Sequence, residues 1–207
     1  MIDLRSALRL YLVADPEHCR GDLTTSVELA LKGGVTMVQL RAKQMSDLDV
    51  TNLAETMSRV CRGFEVPFLV NDRVDIALAV GADGVHLGVD DLPLEAARRI
   101  GGEDFIIGYS PDTDDQLRSA GSRGANYLGI GPVFGTRTKY DAGAALGLDV
   151  FSERVRDGGL PAVGIGGINP DNAKSVIDAG ADGVAVVSAI LGSDDPEAAA
   201  RQISRNS

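Results

Sequence analysis

Four consecutive side chains, Thr136, Arg137, Thr138 and Lys139, follow an apolar segment interrupted by glycines, 127–134. Two hydroxyls and two cations directly after a strand are typical of a loop that binds an anion. This pattern predicts that the loop contacts a phosphate or a similarly charged group. Arg137 has no assigned role, and solvent exposure is its default.

A second group of polar side chains, Gln39, Arg41 and Lys43, alternates with apolar residues. In a strand, this alternation places the three polar side chains on one side. Two cations and an amide are costly to desolvate unless an anion joins them. The pattern therefore predicts a second anion contact, with a solvated strand end as the alternative.

Acidic side chains follow two further apolar runs. Asn71 and Asp72 come directly after 68–70, and Asp91 follows the run 84–87 by a short loop. Two carboxylates from adjacent loops can share one Mg²⁺, which completes its shell with waters and phosphate oxygens. The alternative is that Asp72 and Asp91 cap the helices that follow them.

Small and hydroxyl residues follow the remaining apolar runs. Ser110 follows the fifth run, where a helix cap is the alternative, while Gly167 and the pair Val187 and Ser188 follow the last two. Loops after the final two strands of an eight-stranded α/β barrel often bind phosphate, because glycine lets a phosphate approach backbone N–H groups. The pattern favours a phosphorylated ligand without choosing one.

Positioning these residues requires strands alternating with helices. Eight apolar runs with helical stretches between them predict parallel βα units that close into an α/β (β/α)₈ TIM barrel. The expected strands are Leu10–Val13, Met37–Leu40, Phe68–Val70, Gly84–Leu87, Phe105–Ile107, Tyr127–Ile130, Ala162–Ile165 and Gly183–Val187. An internal echo, 77–85 against 176–184, supports closure because each copy ends a helix on a glycine and feeds the next strand.

Composition limits the class of protein. At 207 residues without a linker, the chain is expected to form one domain, 1–207. A net charge of −10 without a basic run disfavours nucleic acid and anionic membranes as partners. Cys19 and Cys61 lack metal-type spacing, and neither a signal peptide nor a membrane-length apolar run is present, so a cytoplasmic location is expected. A homo-oligomer is left open.

The two histidines carry no catalytic assignment. His86 at a strand end is interpreted as a packed or hydrogen-bonded side chain, and His18 lies beside Cys19 without a second metal-type pair. Zinc sites and nucleophilic triads are therefore poorly supported.

Taken together, the order and spacing of these segments resemble the thiamine phosphate synthase family over nearly the whole chain. The segments that carry the resemblance are 12–15, 38–43, 70–73, 81–88 with Asp91, 107–110, 129–134 with Thr136, Thr138 and Lys139, 165–168, and 187–188. The resemblance implies a transferase that joins 4-amino-2-methyl-5-(hydroxymethyl)pyrimidine diphosphate to 4-methyl-5-(2-phosphooxyethyl)thiazole and releases diphosphate.

The resemblance also implies roles for single residues. Asp72 and Asp91 would bind Mg²⁺, and Ser110 would lie close to the reacting groups. Gln39 and Arg41 would position the pyrimidine, and the diphosphate would be bound by Arg41, Lys43, Asn71 and Lys139. The thiazole phosphate would be held by Thr136, Thr138, Gly167, Val187 and Ser188. Arg41, Lys43, Ser110 and Lys139 would be the catalytic set.

Two positions depart from the family pattern. Val89 stands where the family usually has Gln, and Asp112 stands where a His often follows the fifth strand.

A thiazole tautomerase of the same fold is the closest alternative, but it needs a general acid or base near the ring, and Asp112 disfavours it. A phosphate sensor without catalysis would have no need of Asp72, Asp91 and Lys139 together.

Overall fold

A computed structural model of the protein describes residues 2–136, 138 and 143–206. Its eight parallel strands pair in chain order and the eighth pairs with the first, which confirms the predicted (β/α)₈ barrel. The strands are β1 Leu10–Ala14, β2 Met37–Leu40, β3 Phe68–Asn71, β4 Gly84–Leu87, β5 Ile106–Tyr109, β6 Tyr127–Ile130, β7 Ala162–Ile165 and β8 Gly183–Val186. The fifth strand begins one residue later than predicted and extends to Tyr109.

Helices surround the barrel. They are α1 Leu4–Leu8, α2 Leu23–Lys32, α3 Asp47–Gly63, α4 Val74–Ala79, α5 Leu94–Gly101, α6 Asp114–Ser119, α7 Gly147–Gly158, α8 Ala173–Asp178, α9 Ser188–Leu191 and α10 Pro196–Ser204. The sequence pattern did not predict α1 and α9, which are too short to show a helical period. Within the described ranges, no helix is long and apolar enough to span a membrane.

Alternation along the strands divides the core into two layers. One face of each strand packs against the helices, as Val38 and Leu40 do on β2. The other face fills the barrel interior, where Tyr11, Leu69 and Tyr127 are almost fully buried. Because the interior is plugged by these side chains, a ligand can enter only above them, at the ends of the strands.

The internal echo has a structural role at the turns into β4 and β8. Gly81 and Gly180 follow α4 and α8 with positive φ angles of 63° and 105°. In both turns an aspartate side chain then accepts a hydrogen bond from the first residue of the preceding strand: Asp83 from the N–H of Phe68 and Asp182 from that of Ala162, each at 2.8 Å. These turns lie at the amino ends of the strands, so the echo stabilises the barrel away from the ligand end.

Close packing at the start of β8 generates a stability prediction. A Cβ added at Gly183 would overlap the backbone carbonyl oxygen of Leu8, which cannot rotate away. We expect Gly183→Ala to lower the free energy of unfolding by about 1–3 kcal/mol, the usual cost of overpacking, measured by urea denaturation. Gly63→Ala is the matched control, since a Cβ there has open space; equal stability of the two variants would contradict this packing.

Candidate active site

A cavity of about 440 Å³ opens at the carboxyl ends of the strands. Twelve of the predicted site residues line it: Gln39, Arg41, Lys43, Asn71, Asp72, Asp91, Ser110, Thr136, Thr138, Gly167, Val187 and Ser188. With Asp15 after β1, residues that follow all eight strands meet at one opening, as the strand-end positions in the sequence predict. Lys139 and Arg137 lie outside the described residues.

Two carboxylates and a lysine meet at the ends of β2, β3 and β4. The Lys43 Nζ lies 3.1 Å from the Asp72 Oδ2. The Asp91 Oδ2 accepts a hydrogen bond from the Gly88 N–H at 2.7 Å. Burial and the nearby Asp72 carboxylate raise the pKa of Asp91, whereas the Gly88 N–H and Lys43 act in the opposite direction. This corner therefore holds more negative charge than its neighbours neutralise.

Neither carboxylate caps a helix, which was the alternative to metal binding. The residue that precedes α4 is Arg73, and the residue that precedes α5 is Pro93; neither helix has a side-chain cap. Asp72 itself has a φ of 62°, a left-handed conformation that aspartate tolerates better than most residues. In this conformation its carboxylate bonds to Lys43 across the gap between β2 and β3.

A buried aspartate fixes the second cation of β2. The Arg41 guanidinium donates to the Asp15 carboxylate at the end of β1. Asp15 is 1% exposed and also accepts from the N–H of Glu17. The His18 Nδ1 is buried 3.6 Å from the same carboxylate. Asp15 thus holds the guanidinium at the cavity wall in one orientation.

The opposite wall is built from small and hydroxyl residues. The Thr138 N–H donates to the Thr136 Oγ1 at 3.2 Å, and the hydroxyls of Thr138 and Ser188 lie 3.4 Å apart. Gly167 has a φ of 65°, and a Cβ there would meet the backbone of Gly135. Only glycine fits at this position, which leaves the loop backbone open to a ligand.

The cavity carries an unbalanced charge. Its described lining includes five carboxylates, Asp15, Asp72, Asp90, Asp91 and Asp112, against two cations, Arg41 and Lys43. A multiply charged anion would be repelled by this average field unless a further cation accompanied it. Val89 and Asp112, the two positions that depart from the family pattern, also line the cavity.

The comparisons agree with this geometry. Residues 10–190 match a family model described as thiamine monophosphate synthase. The chain belongs to this family. A thiamine-phosphate synthase of Syntrophomonas wolfei is 46% identical over 97% of this chain and 96% of its own length. One from Natronomonas pharaonis is 48% identical, with 94% and 92% covered.

A solved structure in the family has the same architecture. The thiamine phosphate pyrophosphorylase of Pyrococcus furiosus superposes with a TM-score of 0.89 at 38% identity, covering 98% of this chain and 96% of its own. The family relation therefore extends through the whole barrel, and includes every loop that borders the cavity.

Sequence reasoning assigned no role to three residues that support the site. Asp15 was part of a family segment only, although a buried aspartate after a strand needs a charged partner. Tyr11 and Tyr127 lay within predicted strands without a role of their own, and their hydroxyls lie 2.8 Å apart. A phenol on the inner face of each of two strands was the signal in the sequence, because a buried hydroxyl requires a partner.

The crowding of carboxylates generates a prediction on protonation. In Asp72→Asn the pKa of Asp91 should fall toward its ordinary value, because one of the two causes that raise it is removed. Carboxyl ¹³C NMR of Asp91 across a pH titration measures this, with Asp90→Asn as the control. An unchanged Asp91 pKa in Asp72→Asn would show that the two carboxylates do not interact.

The raised pKa of Asp91 determines how the stability of the protein changes with pH. Since folding raises the pKa of Asp91, its contribution to stability is present below the unfolded value of about 3.9 and is lost as the pH rises through the folded value. At neutral pH the ionised Asp91 therefore opposes folding, and a bound divalent cation would offset that cost.

Proposed function

We propose that this protein is a thiamine phosphate synthase that condenses 4-amino-2-methyl-5-(hydroxymethyl)pyrimidine diphosphate with 4-methyl-5-(2-phosphooxyethyl)thiazole. The observation that carries the proposal is the division of one cavity into two differently charged walls. Cations and paired carboxylates line one wall, with Arg41, Lys43 and Asp72 among them, and small and hydroxyl residues line the other. Two phosphorylated substrates can thus bind side by side.

The donor set fits Mg²⁺. Asp72 and Asp91 come from adjacent strand ends, and burial together with mutual proximity raises the pKa of Asp91. Nowhere in the described ranges do three or more His, Cys, Asp or Glu side chains form a metal cluster. Two protein carboxylates, with the remaining positions left to waters and phosphate oxygens, is the usual composition of a Mg²⁺ site. When bound, Mg²⁺ would supply positive charge to the departing diphosphate.

The remaining polar residues divide between the two substrates. We assign the diphosphate to Arg41, Lys43, Asn71 and Lys139, and the pyrimidine to Gln39 together with Arg41. Ser110 lies between the two walls, bonded to His86 at 2.8 Å. The thiazole phosphate is assigned to the opposite wall: Thr136, Thr138, Gly167, Val187 and Ser188.

The chemistry follows from these assignments. The C–O bond to the diphosphate breaks and the leaving group takes the electron pair, which leaves a cation stabilised by the pyrimidine ring. The thiazole nitrogen then donates its lone pair to that carbon and forms the C–N bond. Because negative charge develops on the leaving group, the cations Arg41, Lys43 and Lys139 would stabilise the transition state more than the bound substrate.

A cytoplasmic location fits the proposal. Cys19 and Cys61 are both free thiols, as expected for a protein of a reducing compartment. The partners are then the two small phosphorylated substrates.

The proposal predicts a metal-dependent synthesis. Purified protein incubated with both substrates and Mg²⁺ should form thiamine phosphate and diphosphate in equal amounts, followed by chromatography. Asp72→Asn and Lys139→Ala should each lower the rate about 100-fold or more, since each removes a group that stabilises developing charge. Lys32→Ala is the matched control, because Lys32 lies on α2 and pairs with Glu28.

Two results would contradict the proposal. Full activity in the presence of EDTA would exclude the metal assignment. Conversion of the thiazole tautomer without formation of thiamine phosphate would move the protein to the tautomerase of the same fold.

A further inference from the structure

A continuous line of hydrogen bonds crosses the barrel interior beneath the cavity. The Gln39 Nε2 donates to the Tyr11 hydroxyl at 2.7 Å, and the hydroxyls of Tyr11 and Tyr127 lie 2.8 Å apart. The Tyr127 hydroxyl lies 2.9 Å from the His86 Nδ1, and the His86 Nε2 lies 2.8 Å from the Ser110 Oγ. Both ends of this line, Gln39 and Ser110, face the ligand cavity.

Two glycines provide the space for this line. A Cβ at Gly108 on β5 would overlap the Tyr127 ring and the His86 Nδ1. A Cβ at Gly129 on β6 would lie 3.0 Å from both the His86 Cε1 and the Ser110 Oγ. Glycine at these two inward-facing positions therefore leaves room for the His86 imidazole and the Tyr127 phenol to meet.

The hydrogens in the line can be assigned in order. Burial raises the pKa of both phenols, so each keeps its single hydrogen. Tyr11 already accepts from Gln39, so its own hydrogen goes to Tyr127, and the hydrogen of Tyr127 then goes to the His86 Nδ1. With the Gln39 Nε2 facing the Tyr11 hydroxyl, any other order leaves a hydroxyl hydrogen without an acceptor in the barrel interior, which costs about 1–3 kcal/mol.

The order of donors and acceptors along the line determines which atom Ser110 and Gln39 each present to the cavity. His86 accepts at Nδ1, so its hydrogen is on Nε2 and points to the Ser110 Oγ. Ser110 accepts that bond, so its own hydroxyl hydrogen is available to the cavity. At the other end the Gln39 nitrogen is used by Tyr11, so the Gln39 side-chain oxygen is the atom that it presents to a ligand.

We propose that Tyr11, Tyr127 and His86 are positioning residues. They form a one-directional hydrogen-bond chain that makes Ser110 a donor and Gln39 an acceptor toward the bound substrate. A ligand that fits must offer a hydrogen-bond donor to Gln39 and an acceptor to Ser110, as an aminopyrimidine bearing a diphosphate does. The catalytic consequence rests on the proposed function, whereas the direction of the chain is a property of the protein alone.

The tautomer of His86 tests the direction without an activity assay. The chain contains two histidines, His18 and His86, so ¹⁵N NMR of histidine-labelled protein, with His18→Gln to assign the signals, resolves both. We expect the Nε2-protonated tautomer of His86 in the wild type and in Tyr11→Phe, where Tyr127 still donates to Nδ1. In Tyr127→Phe that donor is gone, and the signal should move toward a mixture of tautomers.

Kinetics tests the positioning role. Tyr127→Phe should lower kcat about 10- to 100-fold, the range for groups that orient a ligand-contacting residue, while KM for both substrates changes little. Tyr109→Phe is the matched control, because Tyr109 lies on β5 but faces the helices; its kcat should stay near the wild-type value.

The outcomes separate this inference from the proposed function. Two results would overturn the proposed direction of the hydrogen-bond chain. One is a wild-type His86 protonated at Nδ1, and the other is a Tyr127→Phe variant with wild-type kcat and an unchanged His86 tautomer. If the wild-type protein makes no thiamine phosphate but its His86 is protonated at Nε2, the proposed function is contradicted and the direction of the hydrogen-bond chain is supported.

Discussion

The crowding of two carboxylates, Asp72 and Asp91, at a partly buried corner is the constraint on which the site depends. Lys43 pairs with Asp72 at 3.1 Å, and the pKa of Asp91 is nevertheless raised by burial and by Asp72. One lysine is thus too little positive charge for this corner. A site that carries excess negative charge and also has to bind a diphosphate needs a further cation, and a divalent metal satisfies both requirements.

The barrel stays folded although it holds Asp72 and Asp91 close together. The aspartate bonds at the turns into β4 and β8 lie at the amino ends of the strands, so structure that takes no part in binding stabilises the barrel that carries the two crowded carboxylates. Residues at the ends of neighbouring parallel strands are only about 5 Å apart, which brings side chains distant in sequence to one opening. Asp15 and the Tyr11 to Ser110 line then fix the direction of the polar groups that surround it.

Much of this could be predicted from the sequence because the signals were local. Alternation in 38–43 identified the inward side of β2, and eight apolar runs identified the barrel. The hydrogen-bond partners of His86 could not be predicted, since they come from β5 and β6 and depend on space left by Gly108 and Gly129. That Asp72 pairs with Lys43 and does not cap α4 also required the three-dimensional structure, because no local pattern encodes the backbone angle or the Lys43 contact.

The central claim, that Asp72 and Asp91 share one metal ion with a diphosphate, can be tested directly by crystallography with Mn²⁺ in place of Mg²⁺ and inorganic diphosphate. We expect an anomalous peak coordinated by both carboxylates and by diphosphate oxygens, with the Lys43 side chain turned from Asp72 to the diphosphate. A diphosphate bound in the cavity while Mn²⁺ lies away from these carboxylates, or while Lys43 remains paired with a metal-free Asp72, would contradict it.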